Sequence, residues 1–274
     1  MSNETTVEPG SAAMQAGLWG ERAGDWAEIA EQAERPWLGP AYQLVVERLA
    51  VGPGTELLDV GCGSGRFCRI AADRGARISG IDATPELLAI ARERVPEADL
   101  RQGDLQFLPF ADASFDLVTG FNSYFFADHV VAAFRDAARV LRADGNLALT
   151  AFGRPQQCQS APIFEYLGPL MPKFLLESDE PEPHEPGVLE ALLGEAGLIA
   201  TDSGYLEITE EHPDLETVLR FLMSAGPVRL AVRNSGEEAV RAALTKGLES
   251  LAGPDGTLQI TDEYRYVIAT NPPS

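Results

Sequence analysis

The chain has 274 residues, 45% of them hydrophobic and 23% charged, which allows one large α/β domain or two small ones. The 42 acidic residues outnumber 21 basic ones and give a net charge of −21, which disfavours a nucleic-acid partner because phosphates require Lys and Arg. The three cysteines and three histidines lack the spacing of a disulfide framework or a zinc site, so we predict no metal centre.

The first residues of the chain are predicted to form no stable structure. Residues 1–16 have neither a basic start nor an apolar run, which indicates a disordered tail rather than a targeting segment. No apolar run approaches the roughly 20 residues of a membrane-spanning helix. We therefore expect a cytoplasmic protein without membrane contact, folded as a single domain over residues 17–274.

Two helices are predicted before the first strand, at about 21–34 and 40–50. From 56 to 151, short apolar runs then alternate with amphipathic segments. The predicted strands there are 56–60, 77–82, 98–104, 115–121 and 146–152, and helices follow near residues 66, 85 and 130. Apolar strands that alternate with helices indicate a parallel sheet covered on both faces, which is a doubly wound α/β fold.

The remainder of the chain has a less regular pattern. Residues 152–187 are rich in proline and acidic residues, which fits either a solvated surface loop or a cap over a substrate cleft. A helix at 188–196, a strand at 198–208, helices at 214–224 and 236–252, and a last strand at 257–270 are predicted after it.

The segment LLDVGCGSGRF reads as a buried strand, a glycine-rich turn and a helix start. The first such turn of a parallel sheet usually faces the ligand. A phosphate loop for ATP or GTP is disfavoured, because Gly65 is followed by Arg66 and Phe67 rather than by lysine and a hydroxyl residue. A dinucleotide fingerprint would have its third glycine at position 66, so a nicotinamide cofactor is disfavoured but stays open.

Three acidic residues lie at the ends of successive predicted strands. Asp59 directly precedes the turn, where a pyrophosphate ligand would repel it and a ligand with an ammonium and a sulfonium would not. Asp82 suits ribose hydroxyls in any nucleotide, and Asp104 could accept a hydrogen bond from an adenine amine. The three acids together predict a ligand site at this edge of the sheet.

With these residues, the chain resembles class I S-adenosylmethionine-dependent methyltransferases, especially the ubiquinone-biosynthesis-like group. The motifs that carry the resemblance are LLDVGCGSG, GIDAT, QGDLQFLPFADASFDLV and ARVLRADGNLALT, all within residues 56–151. The resemblance implies a seven-stranded, mostly parallel sheet in the order 3-2-1-4-5-7-6, with an antiparallel last strand and helices on both faces. It also implies S-adenosylmethionine as cofactor and S-adenosylhomocysteine as product.

The resemblance further implies which positions surround the cofactor. The methionine part would lie at Asp59, Gly61, Cys62 and Gly63, the ribose at Asp82, the adenine at Ala83, Asp104 and Leu105, and the methyl group near Phe121. Trp19 and Trp26 are candidates for a segment that closes over the cofactor.

A small, apolar acceptor is the predicted substrate, with segments 17–50, 152–187 and 209–255 forming its pocket. Aromatic faces stabilise a cationic methyl donor, and the run after the fourth strand supplies them. The predicted acceptor contacts are Asn122, Tyr124 and Phe125, with His129 as the candidate base. A non-transfer enzyme that uses the same cofactor, a cofactor sensor and a nucleotide-linked oxidoreductase remain alternatives.

Overall fold

A computed structural model describes residues 11–31, 37–173 and 182–273. Its central element is a seven-stranded sheet in the order β3-β2-β1-β4-β5-β7-β6. The strands are β1 (Glu56–Val60), β2 (Arg77–Asp82), β3 (Asp99–Gln102), β4 (Phe115–Phe121), β5 (Leu141–Phe152), β6 (Ile199–His212) and β7 (Leu258–Thr270). β7 pairs antiparallel with both of its neighbours, and the other adjacent strands are parallel. The predicted fold class and strand order are confirmed.

Helices cover both faces of this sheet. They are α1 (Ser11–Gly20), α2 (Ala23–Ile29), α3 (Gly39–Arg48), α4 (Arg66–Asp73), α5 (Pro85–Arg94), α6 (Val130–Val140), α7 (Ala161–Leu167), α8 (Val188–Glu195), α9 (Leu215–Ser224), α10 (Gly226–Ser235) and α11 (Glu237–Leu248). Leu57 and Leu58 are fully buried in two different apolar clusters, because successive strand residues point to opposite faces. None of the described helices is both long and apolar enough to cross a lipid bilayer.

The predicted N-terminal tail extends too far along the chain, because α1 already begins at Ser11. The helix is held by the Ser11 N–H, which donates to Asp128 Oδ2 at 3.1 Å, and by the burial of Leu18. The alanines and glutamine between them also favour a helix. Residues 1–10 of the predicted tail lie outside the described residues, as do residues 174–181 of the predicted surface segment.

The C-terminal part forms a long two-stranded ribbon with helices beside it. β6 and β7 pair from Ile199 opposite Thr270 to His212 opposite Leu258. β6 therefore continues four residues beyond its predicted end at 208. Helices α7, α9, α10 and α11 pack with the far end of the ribbon as a third apolar cluster, and α7 and α10 were not predicted. This arrangement places a second set of side chains next to the glycine-rich turn.

Candidate active site

The glycine-rich turn that follows β1 is fixed by the end of β2. Gly61 and Cys62 donate their N–H groups to the carbonyl oxygen of Ile81 at 2.8 and 3.1 Å. Gly63 has φ +54°, a backbone conformation that strains residues with a Cβ. A Cβ at position 63 would also lie 2.5 Å from Glu31 Oε1, so only glycine fits there without a shift of its neighbour.

Glu31, just after α2, covers this turn from the N-terminal side. Its Oε2 accepts hydrogen bonds from the Ser64 N–H at 3.0 Å and from the Ser64 hydroxyl, and its Oε1 accepts one from Trp26 Nε1 at 2.8 Å. Burial raises the pKa of the Glu31 carboxyl above its usual range. Glu31 was not predicted as a site residue, because it lies within the helix predicted at about 21–34 and belongs to no recognisable motif.

The three acids at the strand ends come together in one cleft, as predicted. Asp59 accepts hydrogen bonds from Thr119 Oγ1 at 2.7 Å and from Cys68 Sγ at 3.6 Å, and burial raises its pKa to about 7. Asp82 accepts the N–H groups of Gly63 and Thr84 at 2.9 and 2.8 Å.

Asp104, the third acid, accepts the Gln106 N–H at 2.8 Å, which fixes the turn after β3. Asp82 and Asp104 therefore shape the local backbone, whereas Asp59 is held by two side chains, and all three carboxylates line the cleft.

One continuous cleft runs from the glycine-rich turn to the C-terminal ribbon. Its empty space is about 1760 Å³, a figure that includes solvent at the open mouth. The residues that line it come from the core at 56–151 and from the N-terminal and C-terminal segments. The predicted cofactor residues that line it are Trp19, Trp26, Asp59, Gly61, Cys62, Gly63, Asp82, Ala83, Asp104, Leu105 and Phe121.

Aromatic rings form the wall between the two ends of this cleft. Trp26 contacts the rings of Trp19 and Trp37 edge to face, at 4.7 and 5.0 Å between centroids, and stacks on Phe221 of α9 at 5.6 Å. Trp37 Nε1 donates to the Tyr264 hydroxyl on β7 at 3.0 Å. These contacts connect the N-terminal helices with the C-terminal ribbon across the cleft.

The far end of the cleft combines apolar walls with a few acidic groups. Ile163, Phe164, Val218, Leu222 and Ile260 line it, together with the exposed Phe152 at its mouth. Polar residues there include Glu210, His212 and Asp262, none of which was predicted as a site residue. Ile208, Glu210 and His212 share one face of β6, but the sequence EITEEH around them does not alternate apolar and polar residues, so no sequence signal located the two polar residues.

Solved structures with the same fold span most of this chain. The [4+2]-cyclase SpnF superposes with a TM-score of 0.60 at 21% identity, covering 97% of this chain and 98% of its own. Phospholethanolamine N-methyltransferase 2 from Haemonchus contortus, in complex with S-adenosylhomocysteine, superposes with a TM-score of 0.61 at 16% identity, covering 94% and 60%. At these identities the likeness shows the fold.

Sequence comparison decides the family. A model of the methyltransferase domain matches residues 58–149, which include the glycine-rich turn and all three acids. The uncharacterized protein Rv1405c of Mycobacterium tuberculosis is 30% identical over 94% of both chains. Demethylmenaquinone methyltransferase from Tropheryma whipplei is 36% identical over 50% of this chain and 59% of its own. The chain belongs to the class I S-adenosylmethionine-dependent methyltransferases.

The cleft of this methyltransferase fits S-adenosylmethionine, its methyl donor. The donor carries an ammonium, a sulfonium and ribose hydroxyls, all of which are favoured by nearby carboxylates. Asp59, Asp82 and Glu31 provide them around a glycine turn that a ligand can approach closely. Membership of this family excludes the alternative of a nucleotide-linked oxidoreductase. Position 66, where a dinucleotide fingerprint has its third glycine, holds an arginine that donates to the Trp37 carbonyl oxygen at 2.6 Å.

The structure contradicts two of the three predicted acceptor contacts of the methyltransferase. Asn122 lines the cleft, and among the described residues its Nδ2 has no hydrogen-bond partner. Its φ of +54° turns the following chain inward, so Tyr124 is 1% exposed and packs on Phe134 in the core. Phe125 packs against the same core cluster and does not line the cleft.

The predicted base His129 is also wrong. It is exposed at the start of α6, and its backbone N–H donates to Gln106 Oε1 at 2.8 Å. Its side chain does not line the cleft, because the chain has already left the carboxyl edge of β4 at that point. His212 is the histidine that the fold brings to the cleft.

Proposed function

We propose that this enzyme transfers a methyl group from S-adenosylmethionine to a small, largely apolar molecule held between α7, α9 and the β6–β7 ribbon. The observation that carries this proposal is the continuous cleft, which runs from the glycine-rich turn to an apolar end. The donor supplies an electrophilic methyl group on a positively charged sulfur. The work of the protein is then to align the acceptor with that group and to exclude water.

Five of the predicted cofactor residues take specific roles in this proposal. Asp59 faces the ammonium of the donor. Asp82 accepts hydrogen bonds from the ribose hydroxyls, because its carboxylate oxygens keep lone pairs that the N–H groups of Gly63 and Thr84 do not use. Ala83, Asp104 and Leu105 surround the adenine. Their position in the cleft beyond the ends of β2 and β3 supports this assignment.

The parts of the chain that supply the cleft-lining residues support the same proposal. The core at 56–151 provides the glycine-rich turn and the three acids. Described residues of the segments 17–50, 152–187 and 209–255, with Ile260 and Tyr264 of β7, line the rest of the cleft. We propose that these segments select the acceptor. The net charge of −21 favours a small molecule over a nucleic acid as that acceptor.

The test is transfer of label from methyl-tritiated S-adenosylmethionine to a metabolite extract, followed by separation of small products. We expect a labelled small molecule. Leu222→Trp, which fills the apolar end, should suppress the label at unchanged affinity for S-adenosylhomocysteine. Ile199→Trp, on an exposed side chain outside the cleft, is the matched control and should have no effect. Cofactor binding without any labelled product would contradict transfer and favour a non-transfer reaction.

A further inference from the structure

We propose that His212 is the base that takes a proton from the acceptor, that Glu210 orients its imidazole, and that the acceptor atom is an oxygen or nitrogen that carries hydrogen. This inference rests on the proposed function and goes further, because it names the chemistry of the acceptor. It replaces the base predicted from the sequence.

His212 is the last residue of β6 and lines the acceptor end of the cleft. It is 4% exposed, and its ring stacks on Phe221 with centroids 6.1 Å apart and an angle of 20° between the planes. Its Nε2 lies 3.4 Å from Glu210 Oε2. In the described part of the chain, its Nδ1 has no hydrogen-bond partner. One nitrogen thus faces a carboxylate and the other is free to accept a proton.

This arrangement follows from the register of the ribbon. Glu210 and His212 are two residues apart on β6 and therefore share a face with their partners Ile260 and Leu258 on β7. A carboxylate next to one imidazole nitrogen fixes the tautomer and stabilises the charged ring after proton uptake. Glu210 is therefore a positioning residue, and His212 is the group that meets the acceptor.

Titratable groups on the surrounding elements line the same cleft as this pair. Asp262 lies on β7, where it accepts the Ser160 N–H at 2.9 Å, and Tyr264 follows two residues later. Arg66 of α4 is close enough to Glu210 for their charges to interact. The residues of α9 that face the pair are apolar, because Arg220 points away to Asp25 and Glu28.

The acceptor therefore meets an apolar wall with one polar end. A molecule with a hydrocarbon or aromatic body and one hydroxyl or amino group fits this pattern, with that group at His212. A hydrogen-bearing heteroatom also gives the buried Nδ1 the partner that it lacks, whereas a carbon acceptor would not.

In the proposed methyl transfer, His212 accepts the proton that the acceptor atom loses, so atoms and charges balance. A lone pair on the acceptor atom forms a bond to the methyl carbon, while the carbon–sulfur bond breaks and its electron pair stays on sulfur. The proton of the acceptor moves to the imidazole and then to solvent. The products are a methyl ether or methylamine, S-adenosylhomocysteine and one proton.

The experiment compares wild type, His212→Asn and His184→Asn in the labelled-transfer assay. We expect His212→Asn to lose transfer by about 100-fold or more, because general base catalysis contributes on that order. His184 lies outside the cleft, so its variant should match wild type. Imidazole added to His212→Gly should restore part of the rate. Glu210→Gln should lower kcat with KM retained.

A second readout does not depend on turnover. In 15N-histidine-labelled enzyme saturated with S-adenosylhomocysteine, 4-hexylphenol or 4-hexylaniline should shift the His212 ring signals. The methyl ether of 4-hexylphenol, which lacks a donor, should leave them unchanged.

The outcomes separate the two claims. All variants should bind S-adenosylhomocysteine as wild type does. If wild type transfers label and His212→Asn transfers it equally well, the base assignment is overturned and the proposed function stands. If wild type binds the cofactor and transfers no label, the proposed function fails and this inference fails with it.

Discussion

The Glu31 carboxylate lies over Gly63, so closely that a Cβ at position 63 would come within 2.5 Å of Glu31 Oε1. The glycine-rich turn of the core is thereby covered by a residue from the N-terminal segment. The same carboxylate holds Ser64 on the turn and Trp26 on the aromatic wall. The glycine-rich turn and the N-terminal segment that covers it are thus parts of one hydrogen-bonded unit.

Gly63→Ala should weaken binding of S-adenosylhomocysteine by about tenfold or more. The left-handed backbone strains an L-residue by about 1–2 kcal/mol, and the added methyl group displaces Glu31. Isothermal calorimetry measures the loss. Gly24→Ala is the matched control, because that glycine is exposed in α2 with nothing near its missing Cβ. An unchanged affinity in Gly63→Ala would contradict the role of the turn.

Binding of S-adenosylhomocysteine at pH 6 should release up to about one proton. Burial raises the pKa of Asp59 to about 7, so the free enzyme holds this carboxyl mostly protonated at pH 6. A nearby ammonium favours the ionised form and expels the proton. Calorimetry in two buffers of different ionisation enthalpy counts the protons. Asp59→Asn should abolish the release, and an equal release in that variant would show that another group is responsible.

Asp59 should also make the free enzyme less stable as the pH rises from 4 to 7. Its folded-state pKa of about 7 is above the ordinary aspartate value of 3.8, so the folded state binds more protons in this window and the free energy of unfolding falls with pH. The contribution is at most about 4 kcal/mol. Urea unfolding at pH 4, 5.5 and 7 should give a flatter profile for Asp59→Asn than for wild type. Parallel profiles would rule out this contribution.

Tyr124→Phe should keep or raise the free energy of unfolding, by up to about 1 kcal/mol. The Tyr124 hydroxyl is buried, and among the described residues it has no hydrogen-bond partner, so its removal relieves an uncompensated desolvation cost. Chemical denaturation measures the change. A loss of 1 kcal/mol or more would mean that the hydroxyl makes a bond that stabilises the fold.

The half of the cleft that we propose for the cofactor could be located from the sequence, because local sequence fixes the positions of its residues. A buried strand, a glycine turn and an acid at each strand end determine that half, and Asp59, Asp82 and Asp104 all reach one cleft. The acceptor half depends on pairing over long sequence separations. His212 is brought to the cleft by the β6–β7 register, and an amphipathic pattern of a few residues does not define where such a strand ends.

The prediction of acceptor contacts in the segment after β4 was inaccurate for a related reason. Asn122, Tyr124 and Phe125 all look suited to a ligand by composition. The left-handed backbone at Asn122 decides which of them faces the cleft and which faces the core. Since φ at a non-glycine residue is set by the surrounding packing, the sequence did not indicate it.

The most direct measurement is a calorimetric titration of the full chain with S-adenosylhomocysteine and, separately, with NADH. The glycine turn, the three strand-end acids and the family membership predict micromolar binding of S-adenosylhomocysteine and none of NADH. Binding of NADH without binding of S-adenosylhomocysteine would contradict the assignment of S-adenosylmethionine as the cofactor.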